Sequence, residues 1–122
     1  MIVVDTNVLV DVLRGVRQAV DVLERVDDDL VVPAMVRFEV LAGARPAELP
    51  AIERLLALCV DAPVDALVAG EAAGLARRYA KSHSGIDPID YVVAATARLL
   101  DAQLLTRNVK HFPMFPKLKS PY

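Results

Sequence analysis

The sequence of 122 residues has a single cysteine, Cys59, and only two histidines, His83 and His111. One cysteine cannot form an intrachain disulfide, which fits a protein of a reducing compartment. It also excludes the paired thiolates of a structural zinc site, and both histidines lie in predicted loops. The sequence therefore offers few sulfur or nitrogen ligands for a metal.

Long hydrophobic runs are also missing, since no apolar segment approaches the ~20 residues of a transmembrane helix. The segment from Met1 to Asp5 lacks the basic residues that open a signal peptide. There is no low-complexity segment, fixed-period repeat or linker. Hydrophobic residues make up 55% of the chain, enough to bury a core. We therefore predict one soluble, cytoplasmic domain over residues 1–122, without a membrane segment.

The net charge of −2 is distributed unevenly along the chain. No acid follows Asp101, whereas the same segment contains Arg107, Lys110, Lys117 and Lys119. A basic edge beside an acidic pocket suits a phosphate backbone held near bound cations. A solvated tail explains the same charges, and the composition leaves both interpretations open.

Short apolar runs alternate with longer helical patterns, which predicts βαβ units and a parallel sheet. Strands are predicted at Ile2–Val4, Leu30–Val32, Leu58–Val60 and Gln103–Leu105, with a weaker candidate at Lys117–Lys119. Helical spacing is found over Arg17–Val26, Met35–Gly43, Val64–Tyr79 and Pro88–Leu100. The last helix is apolar on almost every side, so we expect it to be buried.

Two aspartates lie beside apolar runs at the boundaries of predicted elements. Asp5 follows the first strand, and open α/β sheets bind ligands at the carboxyl ends of their strands. Asp90 lies in the first turn of the last helix, where the helix dipole favours an anion. Asp87 is explained first as the N-cap of that helix, with a possible outer role at the site. Asp5 has a structural alternative too, because it could simply cap the helix that follows it.

Glu39 is the third acid in apolar surroundings. We predict a buried stripe of Met35, Phe38 and Leu41 on its helix, with Arg37 rather than Glu39 standing off it. An exposed glutamate in a helix is the ordinary alternative.

Carboxylates placed together repel one another, and at least one would take up a proton unless a cation neutralises them. Mg²⁺ or Mn²⁺ suits such a set, because hard cations prefer oxygen ligands. The sequence has no glycine-rich phosphate-binding loop. It also lacks the second acid that a phosphoaspartate phosphatase needs two residues after its nucleophile, since that position is Asn7.

Four segments resemble, in order, those of PIN-domain proteins of the VapC toxin type. They are Val-Val-Asp-Thr-Asn-Val-Leu-Val-Asp from residue 3, Val-Arg-Phe-Glu-Val-Leu-Ala-Gly from residue 36, Asp-Tyr-Val-Val-Ala-Ala-Thr-Ala from residue 90 and Leu-Thr-Arg-Asn-Val-Lys-His-Phe from residue 105. The resemblance implies a three-layer α/β/α sandwich around a parallel sheet of four or five short strands. It also implies a Mg²⁺-dependent endoribonuclease that is the toxin of a toxin–antitoxin pair.

By this resemblance Asp5, Glu39 and Asp90 are the catalytic and metal-binding acids. Thr6, Asn7, Thr106 and Asn108 are predicted to support them. Asn108 stands where many members carry a fourth acid, so we expect a second metal to bind less tightly. The predicted RNA backbone contacts are Arg107, Lys110 and Lys119.

The resemblance also implies partners: an antitoxin segment bound in a groove, and a second copy of the chain in a homodimer. The acidic pocket adds the expectation that the antitoxin inserts an arginine or lysine among the acids. The composition agrees, because so short and hydrophobic a domain is expected to leave an apolar patch exposed. The rival interpretation is a PIN-fold binding module within a protein–DNA regulatory complex, with little nuclease activity. The intact acids weigh against it, and Asn108 weighs mildly for it.

Overall fold

A computed structural model describes all residues, 1–122. Four strands form one sheet: β1 (Ile2–Val4), β2 (Leu30–Pro33), β3 (Val60–Ala62) and β4 (Gln103–Leu105). Six α-helices connect and cover them: α1 (Thr6–Leu13), α2 (Arg17–Glu24), α3 (Ala34–Ala42), α4 (Leu49–Ala57), α5 (Ala66–Tyr79) and α6 (Pro88–Leu99). Short 3₁₀ helices lie at Pro46–Glu48 and Val109–His111.

The sheet is entirely parallel, in the order β3-β2-β1-β4. Its central strands are apolar on both faces, as expected for a sheet covered on both sides. Val3, Val4 and Val32 are fully buried, and Val31 is almost so. Valine suits these positions because its branched side chain packs well on a pleated surface. The predicted α/β fold around a parallel sheet is confirmed, with four strands rather than five.

Most predicted elements are found with small shifts at their ends. Strand β3 begins two residues later than predicted, because Leu58 still belongs to the end of α4 and is exposed. Helix α5 begins after Asp65, whose Oδ1 accepts a hydrogen bond from the Val68 amide at 2.9 Å. Helix α6 is buried along Tyr91 and residues 93–97, as predicted.

Two predictions were wrong. No strand forms at Lys117–Lys119, which lies in a run of turns. The stripe predicted on α3 is not the buried face, since the Phe38 side chain is 59% exposed. Val36 and Val40 are buried instead, where α3 packs against α1 and α6. Glu39 lies beside this buried face and is half-buried.

No helix of the protein combines the length and the apolar character that crossing a membrane requires.

Candidate active site

The carboxyl ends of the parallel strands bring the predicted site residues to one edge of the sheet. Asp5 directly follows β1, Thr106 directly follows β4, and Glu39 lies on the helix that follows β2. Asp90 reaches the same edge from the first turn of α6. These residues are up to 101 positions apart in the chain, yet all line or support one cleft of about 320 Å³.

Asp5 is fixed by hydrogen bonds to both of its carboxylate oxygens. Its Oδ1 accepts from the Thr6 amide at 2.8 Å, so Asp5 is also the N-cap of α1. Its Oδ2 accepts from the Thr106 hydroxyl at 2.7 Å and from Asn7 Nδ2 at 3.2 Å. Asp5 is 4% exposed, and this set of donors stabilises its buried charge. Asp5 therefore caps α1 and lines the cleft at the same time, so its capping role does not exclude a functional one.

Thr6 and Asn7 hold the other parts of the site to Asp5. The Thr6 hydroxyl donates to Glu39 Oε1 at 2.6 Å and so ties α3 to the start of α1. Asn7 Nδ2 also donates to the Thr106 hydroxyl oxygen, and Asn7 Oδ1 accepts from the Arg107 amide at 3.0 Å. The Asn108 amide donates to the Thr106 hydroxyl oxygen at 3.0 Å. Loop 106–108 is therefore fixed by the first turn of α1.

Asp87 and Asp90 form a capping box at the start of α6. Asp87 Oδ1 accepts from the Asp90 amide at 2.9 Å, and Asp90 Oδ2 accepts from the Asp87 amide at 3.2 Å. The predicted N-cap is thus found, and both carboxylates also line the cleft. Nδ1 of His111 lies 3.1 Å from Asp90 Oδ2 but makes no hydrogen bond.

Burial raises the pKa values of two cleft acids, Asp5 and Asp90, and the charges of neighbouring acids add to the effect. Burial raises the pKa of Asp5, against the lowering effect of the Thr106 hydroxyl, and the charge of Asp87 raises it further. Burial also raises the pKa of Asp90, to about 6, and the charges of Asp87 and Asp5 contribute. Negative charge is therefore costly in this cleft without a compensating cation.

The donor chemistry of the cleft fits a hard divalent cation. Carboxylates of Asp5, Asp11, Glu39, Asp87 and Asp90 line it, and no cysteine does. The acids line the cleft, but no three acids or histidines are close enough to one another to bind the same ion. The fit to a metal therefore rests on oxygen donors and on unfavourable negative charge, not on a preformed ligand cage.

Three polar cleft residues were not predicted from the sequence, namely Asp11, Arg14 and His111, and neither was the apolar Val10. Helical spacing contains the signal for Asp11, which lies one turn beyond Asn7 on α1. Of the predicted RNA contacts, Arg107 lines the cleft, whereas Lys119 lines a separate hollow beside β4. Lys110 is exposed on the 3₁₀ helix after Asn108 and lines neither.

A family model for the PIN domain matches residues 2–116. The chain belongs to the PIN-domain family. This PIN domain is 46% identical to ribonuclease VapC19 of Mycobacterium tuberculosis over 125 residues, which covers all of both chains. The sequence resemblance to VapC-type PIN toxins is thereby confirmed.

Solved structures agree with the fold. The PIN domain superposes on a chain of a toxin–antitoxin complex from Klebsiella pneumoniae with a TM-score of 0.87 and 26% identity, covering 100% of this chain and 98% of that one. It superposes on a chain of FitAB bound to an IR36 DNA fragment with a TM-score of 0.81 and 27% identity, covering 99% and 95%.

Arg37, which was predicted to stand off the buried stripe of α3, has a structural role outside the cleft. Its Nε and Nη2 donate to Asp61 Oδ1 at 2.9 and 2.6 Å, which links α3 to β3. The Arg37 side chain therefore forms an ion pair outside the cleft of the PIN domain.

Proposed function

We propose that this PIN domain is a Mg²⁺-dependent endoribonuclease that hydrolyses RNA phosphodiester bonds and is the toxin of a toxin–antitoxin pair. The observation that carries the proposal is that Asp5, Glu39 and Asp90 line one cleft together with the loop after β4. The similarity to a named ribonuclease over the whole chain supports RNA as the substrate. Mn²⁺ would serve the same oxygen ligands.

Asp5, Glu39 and Asp90 would hold the cation. When bound, it supplies positive charge that stabilises the charge developing on the phosphoryl group and favours hydrolysis by water. The protein's own contribution is to fix its oxygen donors before substrate arrives. Thr106 orients the Asp5 carboxylate, and Thr6 orients Glu39. Asn108 is neutral where many relatives carry an acid, so we infer weaker binding of any second cation.

The partners of the toxin would use two other surfaces. A groove of about 360 Å³, lined by apolar residues and by four charged ones, adjoins the cleft and shares Val10, Arg14 and Glu39 with it. We infer that an antitoxin segment occupies this groove and inserts an arginine or lysine among the acids. Val60, Leu67 and Leu99 expose a second apolar surface, and we assign the homodimer interface to it.

A binding module in a protein–DNA complex is the second candidate, favoured by the likeness to FitAB bound to DNA. Only cleavage of RNA by the isolated protein separates the two candidates.

The test is cleavage of an RNA pool by the wild type and by Glu39→Gln and Asp90→Asn. An amide can replace either carboxylate without losing a hydrogen bond. In both residues one oxygen accepts a hydrogen bond and the other accepts none, so the amide nitrogen can take the second position. Asp5→Asn is less suitable, since both Asp5 oxygens accept from donors and an amide nitrogen would face one of them. We expect at least a roughly hundredfold loss in both variants.

Glu71→Gln is the matched control, because Glu71 pairs with Arg98 outside the cleft. It should retain wild-type activity. Full activity in Asp90→Asn, or wild-type cleavage that persists in excess chelator, would contradict the proposed function.

A further inference from the structure

The side chain of Arg107 is held beside the cleft by an acid of α1. Its Nε lies 3.0 Å from Oδ2 of Asp11, which is 7% exposed. Its backbone amide donates to Asn7, four residues before Asp11 on the same helix. Positions four apart lie on one helix face, so α1 fixes both the backbone and the side chain of residue 107.

Tyr122 completes this arrangement from the far end of the chain. Its hydroxyl donates to the same Oδ2 of Asp11 at 2.7 Å. Burial raises the pKa of Tyr122 above its ordinary value, and the hydrogen bond to Asp11 and its charge raise it further. The hydroxyl therefore remains a donor at neutral pH. With two partners on one oxygen, the Asp11 carboxylate has little freedom to turn away from Arg107.

The guanidinium of Arg107 remains available to a ligand. It faces the cleft, its side chain is 49% exposed, and it makes an ion pair without a hydrogen bond to any protein group. Arg37 differs, since it donates two hydrogen bonds to Asp61. The planar fork of a guanidinium matches two phosphate oxygens. An RNA chain entering a cleft lined by five acids needs such a cation to offset repulsion.

We propose that Asp11 and Tyr122 are positioning residues that hold the Arg107 guanidinium at the cleft, where it binds a backbone phosphate of the RNA substrate. The inference rests on the proposed function. It adds a specific contact for the substrate and a role for two residues outside the metal-binding set.

Initial rates of RNA cleavage at several salt concentrations test the proposal. Arg107→Gln should raise KM by about tenfold with little change in kcat, as for the loss of a hydrogen bond to a charged group. The slope of log KM against log salt should fall by about 0.7, the value for one phosphate of a single strand. Tyr122→Phe should raise KM by about threefold.

The double variant Arg107→Gln/Tyr122→Phe distinguishes positioning from general stability. If Tyr122 acts through Arg107, the double variant should have the KM of Arg107→Gln alone. Arg98→Gln is the matched control, because Arg98 lies 3.1 Å from Glu71 with similar exposure and lies outside the cleft. Asp11→Asn provides a second route if Tyr122→Phe unfolds, and thermal melts set the assay temperature.

A full threefold effect of Tyr122→Phe in the Arg107→Gln background would overturn the proposal, as would an unchanged salt slope in Arg107→Gln. If the wild type cleaves no RNA, the proposed function fails, and fluorescence anisotropy with labelled RNA then decides this inference separately. Affinity lost in Arg107→Gln and Tyr122→Phe would sustain it. No RNA affinity in the wild type, or equal affinity in the variants, would overturn it.

Discussion

The charged form of Asp90 is required by the proposed function but lowers the stability of the metal-free protein. Its pKa is raised to about 6, so the folded protein binds its proton more tightly than the unfolded chain does. The carboxyl therefore lowers the stability of the metal-free protein as pH rises from about 4 through 6. The proposed cation would remove this penalty.

Asp90→Asn should accordingly raise the free energy of unfolding of the metal-free protein by about 1–2 kcal/mol at pH 7.5. The difference from wild type should disappear below about pH 4, where the carboxyl is protonated in both states. Urea unfolding in chelator at several pH values measures it. Asp27→Asn, at an exposed position, should show no such difference. A less stable Asp90→Asn protein at pH 7.5 would contradict the sign.

The sequence made Asp5 and Asp90 recognisable because each is an isolated charge beside an apolar run. Helical spacing places Asp11 on the same face of α1 as Asn7, but the sequence alone does not show that this face, or Arg14 after it, lines the cleft. Asn7 was predicted to support the site, but two of its three hydrogen bonds, those with Thr106 and Arg107, depend on a loop about 100 residues away.

At the scale of elements, the strands were predictable where a short apolar run is bounded by charge, as at β1. The failure at Lys117–Lys119 has a physical cause. Pro116 and Pro121 flank this segment, and proline has no amide to donate to a neighbouring strand. On α3, the large side chain of Phe38 suggested the wrong buried face. The valines fit there because their size allows close packing against α1 and α6.

The groove between α1, α3 and α4 carries a prediction about the antitoxin. A bound segment that inserts a cation among the acids should compete with Mg²⁺ or Mn²⁺. Adding metal at rising concentration to a complex purified with its cognate small protein should weaken the complex, as measured by calorimetry. Ala51→Glu, which places a charge on the groove lining, should weaken it without metal.

Leu58→Glu, at an exposed apolar position that lines neither the groove nor the proposed homodimer surface, is the control and should leave antitoxin affinity unchanged. Independent binding of metal and antitoxin would show that no cation is inserted, even if the complex forms.

At the scale of the whole molecule, the sequence predicted the fold class, and the structure places the three predicted acids in one cleft. Parallel order follows from alternating strands and helices, so one edge of the sheet must collect the strand ends. The distances between the acids could not be predicted, because they depend on side-chain rotamers. The acids line the cleft but do not stand close enough to enclose one ion. The central claim is therefore that Asp5, Glu39 and Asp90 all contribute to binding one cation.

Calorimetric titration of the metal-free protein with Mn²⁺ tests that claim most directly. We predict saturable binding by the wild type and at least a roughly tenfold loss of affinity in both Glu39→Gln and Asp90→Asn. Glu71→Gln, whose acid lies outside the cleft, should bind as the wild type does. Absence of binding by the wild type, or equal affinity in Asp90→Asn, would contradict the account.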